Sequence, residues 1–80
     1  MTQGFLPVGN IFDWHFHDWI DEFFLVTQGT GTIEFRDAQM QYIPDDLIYI
    51  PANTEHRIIA EWDIENQFYF VRVKNPHAND

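Results

Sequence analysis

The chain contains no cysteine. That absence excludes disulfide cross-links, thiolate zinc sites, thiol nucleophiles and cysteine-bound iron–sulfur clusters. Any metal must therefore be held by histidine and carboxylate. Cations are also scarce: four Lys and Arg stand against 13 Asp and Glu, a formal net charge of −9. A field of that sign repels nucleic acids and anionic membranes, and no local basic run offsets it. No stretch approaches the ~20 apolar residues that span a bilayer. The start, Met1-Thr2-Gln3-Gly4-Phe5, lacks the basic residues and long apolar run of a signal peptide. The expectation is a soluble cytoplasmic protein with neither nucleic acid nor membrane as partner.

Aromatic residues, by contrast, are plentiful: eight Phe, three Trp and three Tyr in 80 residues. This length allows one domain, taken as residues 1–80. A domain so small buries only about 60 % of its unfolded surface. Without disulfides it needs a metal, a partner subunit or an unusually aromatic core. Apolar runs are short and broken by turn residues every eight to twelve positions, as in an all-β fold. Strands are expected over residues 11–17, 22–27, 32–36, 39–42, 47–50, 56–60 and 68–73, with a polar tail from Lys74. No segment shows a sustained helical period. Seven or eight short strands predict a small sandwich or barrel.

Three histidines and a carboxylate carry the candidate chemistry. In an extended strand His15 and His17 share one face with Ile11 and Asp13, while Phe12, Trp14 and Phe16 take the other. Glu22 opens the next strand after a short turn, and His56 opens a later one just beyond Pro51–Glu55. Three imidazoles and one carboxylate suit Fe, Mn, Ni, Cu or Zn. Asp21 is the rival carboxylate, because the turn leaves one residue of slack. Asp13 is placed to orient an imidazole or to sit on a solvated rim.

Gly9, His15, His17, Glu22 and Gly29 together spell G-x5-H-x-H-x4-E-x6-G. Five fixed residues match by chance at roughly one start in three million if each type occurs about once in twenty positions. The pattern resembles the first motif of the cupin superfamily. Pro51 and His56 match the second, G-x5-P-x-G-x2-H-x3-N, while Asp45, Asn53 and Ala60 stand where the family has Gly, Gly and Asn. The resemblance covers about residues 9–73.

A small single-domain cupin is thus implied: a double-stranded β-helix, or jelly-roll barrel, with a divalent transition metal inside on His15, His17, Glu22 and His56. The resemblance further implies a small molecule in the barrel. It points to a metal-dependent enzyme of the dioxygenase, lyase or isomerase type, with a non-catalytic binding or sensing module as the alternative. Arg36, Arg57 and Arg72 are read as surface strand residues able to meet a carboxylate. Tyr42, Tyr49 and Tyr69 are read as core residues with local partners, each able to place a hydroxyl in the barrel. His77, in the tail, is given no role. With the histidines inward, Phe12, Trp14, Phe16 and Trp19 would face away from the metal. There they either pack against the second sheet or form an exposed face. So short a chain has little left to cover them, and a homodimer through that face is expected.

Overall fold

Alternating apolar and polar residues, interrupted by Gly, Pro, Asn and Asp, produce eight strands and no helix among residues 2–78, the part described in this computed structural model. They are β1 (Thr2–Leu6), β2 (Ile11–His15), β3 (Ile20–Gln28), β4 (Gly31–Phe35), β5 (Gln39–Tyr42), β6 (Leu47–Ile50), β7 (His56–Ala60) and β8 (Asn66–Lys74). Two four-stranded antiparallel sheets form, in the orders β1-β8-β3-β6 and β2-β7-β4-β5. The expected jelly-roll barrel is observed. β1 is the strand that the sequence reading did not assign. Its pairing with β8, from Thr2↔Phe70 to Leu6↔Asn66, makes it extended. No described helix is long and apolar enough to cross a membrane.

The core lies between the sheets and comes from every second residue. β3 turns in Glu22, Phe24 and Val26; β7 turns in His56, Ile58 and Ala60; Ile33, Tyr42, Ile48, Ile50, Leu6 and Phe68 complete it. Phe24 meets Phe70 edge-on at 4.7 Å between ring centroids, a favourable aromatic arrangement.

Turn chemistry fixes the connections. Gly9 and Gly29, both in the recognised motif, adopt φ of 66° and 87°. Asp45 and Asn53, standing where glycine is usual, adopt 76° and 64°. Asn and Asp are the side chains that tolerate this left-handed region best.

One feature of β2 overturns the expected face assignment. Phe12 pairs with Ile58 and His15 with His56, so three steps on β2 span two on β7. This bulge shifts the parity, and Phe12 joins His15 on the inward side, packed against the core. The strand ends at His15, and His17 lies in the loop beyond it. Only Trp14 of the expected aromatic face lies on the outer side of β2. It packs beneath the guanidinium groups of Arg36 (3.8 Å) and Arg57 (5.1 Å). Phe16 and Trp19 are exposed in the following loop.

Candidate metal centre

β2, β3 and β7 deliver their terminal inward side chains to one end of the barrel. Donor atoms of His15, Glu22 and His56 lie within 4.8 Å of one another. Glu22 and His56 are 2 % and 1 % exposed, so both groups have left water. His17 borders this group from its loop: its Nε2 is 3.7 Å from Glu22 Oε2. The Asn53 backbone N–H donates to the His17 carbonyl (2.9 Å), tying that loop to the turn that precedes β7. Three of the four residues singled out in the sequence, His15, Glu22 and His56, therefore form one group, and His17 stands beside it against Glu22.

The ring nitrogens are oriented by the backbone. His15 Nδ1–H donates to the Asp13 carbonyl (2.7 Å), and His56 Nδ1–H donates to the Thr54 carbonyl (2.8 Å). A carbonyl can only accept, so each neutral ring must carry its proton on Nδ1 and present a lone pair on Nε2. Backbone contacts of this kind position ligand imidazoles. Asp13 thus contributes its main-chain oxygen; its carboxylate accepts from the Trp14 N–H (2.8 Å). Burial lowers the His56 pKa below its ordinary value, and the neighbouring His15 and His17 act in the same direction. The Thr54 carbonyl and Glu22 oppose that shift.

Glu22 is the inward carboxylate, and Asp21 is not. Asp21 points to the other face, where it accepts from the Ala52 N–H (2.9 Å) and the Asn75 side-chain amide (3.2 Å). Alternation along β3 leaves no second choice. Glu22 Oε2 accepts from Arg72 Nε at 2.6 Å. Arg72 is the site residue that the sequence reading placed on the surface. Phe68, Phe70 and Arg72 stand at every second position of β8, so the alternation itself carried the signal. Arg36 and Arg57 do lie outside, paired with Glu55 and Glu34 at 2.8 Å each.

A cavity of about 470 Å³ opens above this cluster, bordered by Phe12, His15, His17, Glu22, Phe70 and Arg72 among others. Its size is that of a small-molecule site. Two nearby atoms show what the cluster lacks: Nε2 of His17 and Nε2 of His56 are buried and have no hydrogen-bond partner. Orphaned buried nitrogens are costly, and a cation is the species that two lone pairs and a carboxylate satisfy together. The donor set fits a divalent transition metal. Of the three tyrosines, Tyr42 is inside but at the far end, while Tyr49 is half-exposed and Tyr69 lies on the outer row of β8. None supplies a hydroxyl to the cavity lining.

The Cupin_2 profile, a cupin domain, matches residues 3–72. The chain belongs to the Cupin_2 family. The cupin is similar to YdbB of Bacillus subtilis (strain 168), 38 % identical over 47 residues. That stretch is 58 % of this chain and 42 % of YdbB. It also resembles a cupin-2 domain containing protein from Shewanella frigidimarina (TM-score 0.73, 29 % identity, 91 % of this chain and 69 % of that one). A third likeness is to a predicted oxalate decarboxylase from Thermotoga maritima (TM-score 0.83, 18 % identity, 90 % of this chain and 63 % of that one). The cupin thus spans less than half of its curated relative and under two thirds of the Thermotoga protein.

Proposed function

We propose that this cupin binds one divalent transition-metal ion through His15, His17, Glu22 and His56 and is a metal-dependent enzyme acting on a small molecule in the adjoining cavity. The observation that carries this reading is the pair of buried, unpartnered Nε2 atoms beside a buried carboxylate. When bound by these residues, the ion would supply Lewis-acid or redox chemistry to a molecule in the cavity. The chain's own groups do the rest. The Asp13 and Thr54 carbonyls hold two imidazoles in the metal-binding tautomer. Phe12 and Phe70 wall the cavity with hydrocarbon. Arg72, bound to Glu22 through Nε, is the cationic side chain in that lining and suits a small anionic substrate.

The test is metal content. Protein purified without added metal, then titrated with Fe, Mn, Ni, Cu and Zn salts, is expected to take up one ion per chain. The double substitution His15→Ala with His17→Ala should abolish uptake, and His77→Ala should leave it unchanged. Equal metal in the two variants overturns the assignment. Iron, nickel or manganese in the purified protein supports redox or lyase chemistry, and zinc supports a binding role.

A further inference from the structure

The barrel has a second recess, at the end away from the histidines. It holds about 570 Å³ and is bordered by Gly31, Tyr42, Ile43, Glu61, Trp62 and Asp63 among others. His56 opens β7 and Glu61 follows its last residue, so about 17 Å of strand separates the recess from the metal cluster. Tyr42 gives it an unmet polar requirement. The residue is 0 % exposed, and its hydroxyl has no hydrogen-bond partner. That hydroxyl stands where a Gly31 side chain would be, and Glu61 is near enough to disfavour its ionisation. It is therefore aimed at the wall that Gly31 and Glu61 share.

The rest of the recess is built around a placed aromatic ring. Trp62 is 82 % exposed, yet its ring lies against Gly9, where an added Cβ would meet three ring atoms. The backbone beneath is fixed: the Gly9 N–H donates to the Glu61 carbonyl and the Glu61 N–H to the Thr30 carbonyl, both at 3.1 Å. A positioned indole face in water is a contact without its second half. Ile43, also largely exposed, adds hydrocarbon across the recess.

Charge selects the occupant. Backbone and side-chain bonds to Val26, Gln28 and Thr30 gather Asp45, Asp46, Glu61 and Glu65 at this end, with Asp63 between the last two. All four Lys and Arg of the chain stand in the other half. Arg36 and Arg57 flank the Phe35↔His56 pair, Arg72 binds Glu22, and Lys74 is opposite Ile20. An anion would meet five carboxylates, and a bare metal ion would leave Trp62 and Ile43 uncovered. We infer that this recess is a second ligand site and takes a small organic cation of the primary alkylammonium class. The ammonium donates to the Tyr42 oxygen and to the Glu61 and Asp63 carboxylates. The alkyl stem lies on Ile43 and on the indole face of Trp62, which itself attracts a cation.

Butylammonium chloride is the probe, titrated into the whole chain while the NMR amide signals of Gly31 and Ile43 and the indole signal of Trp62 are followed. Sodium chloride at equal ionic strength accounts for diffuse attraction to the acidic surface. Saturable shifts are expected with butylammonium and not with butanol. Tyr42→Phe keeps the ring and should raise the dissociation constant roughly three- to tenfold, the worth of one hydrogen bond. Glu61→Gln with Asp63→Asn should raise it about tenfold, and Trp62→Leu about threefold. Asp37→Asn, exposed in the turn between β4 and β5, should leave it unchanged. The constant is expected to be the same with chelator or with zinc, so failure of the metal assignment does not touch this site. Shifts no larger than those from sodium chloride overturn the inference. So does equal binding of butanol, or a dissociation constant that neither Tyr42→Phe nor the double carboxylate substitution changes.

Discussion

The two ends of the barrel interior are built from the same strands and do opposite work. Down β3 the inward side chains run Glu22, Phe24, Val26; down β7 they run His56, Ile58, Ala60; down β8 they run Arg72, Phe70, Phe68. Pairing aligns these rows into layers, with Glu22 opposite Arg72, Phe24 opposite Phe70 and Val26 opposite Phe68. The top layer is polar and borders the cavity. The lower layers are mostly hydrocarbon, with Asn66 and the Tyr42 hydroxyl as the buried polar groups at the far end. Each fully buried Phe or Ile below contributes roughly 1.5–3 kcal/mol, whereas burying Glu22 and His56 above carries a desolvation cost that Arg72 offsets for Glu22 alone. Alternation therefore decides which face a residue takes, and distance from the cavity end decides whether that position serves folding or chemistry.

Removing hydrocarbon from the lower layer is the largest expected effect. Phe68 is 1 % exposed, with Phe24 and Tyr42 rings 6.2 and 5.7 Å away. Phe68→Ala should cost about 3–5 kcal/mol in urea denaturation, through lost transfer energy and an unfilled cavity. A domain of this size has few such increments to lose. A loss below about 1 kcal/mol would show that the lower layer is not the structural end.

The upper layer should behave in the converse way. His15→Ala with His17→Ala keeps the lower layers intact, so the metal-free fold should survive. What it loses is the ligand-dependent part of stability, about 2.7 kcal/mol at a hundredfold excess of metal over its dissociation constant. Melting with metal and with chelator isolates that part. Metal that stabilises the double variant as much as the parent would contradict the layer assignment.

Much of this layering is legible in the sequence, for a physical reason in each case. Short apolar or alternating runs between turn residues give β3 to β8. The apolar runs of β3 and β6 suggest strands covered on both faces, yet Leu25, Leu47 and Tyr49 are exposed. The motif spacing singles out His15, Glu22 and His56, which group together, and His17 beside them. Asp45 and Asn53 are readable as glycine substitutes because their backbone must turn left-handed, and it does. The bulge in β2 is not readable. Nothing in Asp13-Trp14 marks an extra residue, since the irregularity exists only relative to the β7 partner, and one residue of slip reverses every face assignment. β1 escapes for a related reason: five residues containing Gly4 have little strand character until β8 pairs with them. Arg72 was legible by alternation, but a charged residue is ordinarily outside.

A smaller effect distinguishes the layers through pH. His56 is harder to protonate in the folded state than in the unfolded chain, because burial disfavours its charge. The unfolded state therefore binds more protons once the pH falls below about 6.5. His56 contributes stability that is complete above that value and declines as the pH drops toward its lower folded value. Metal-free protein melted between pH 8 and pH 5.5 should show this decline, and His56→Gln should flatten it. Parallel curves for the two proteins would remove His56 as the source.

The smallest expected effect has the opposite sign from the first and arises in the same lower layer. Tyr42 is fully buried on β5, where a side chain added at Gly31 would run into its hydroxyl. That hydroxyl has no hydrogen-bond partner. The ring fills the layer beside Phe68, so the hydrocarbon stabilises while the oxygen carries an uncompensated desolvation cost. Tyr42→Phe keeps the ring and removes the oxygen, and should stabilise the domain by about 1 kcal/mol in urea denaturation. Alkaline titration adds a second signature. Burial, with Glu61 nearby, pushes the Tyr42 pKa up, so folding opposes its ionisation. Stability from this source is complete below about pH 10 and declines as the pH rises from there toward the higher folded value. The phenylalanine variant should lack that alkaline component. A loss of stability in Tyr42→Phe would mean that the hydroxyl is satisfied in solution and that the lower layer is less dry than its packing indicates.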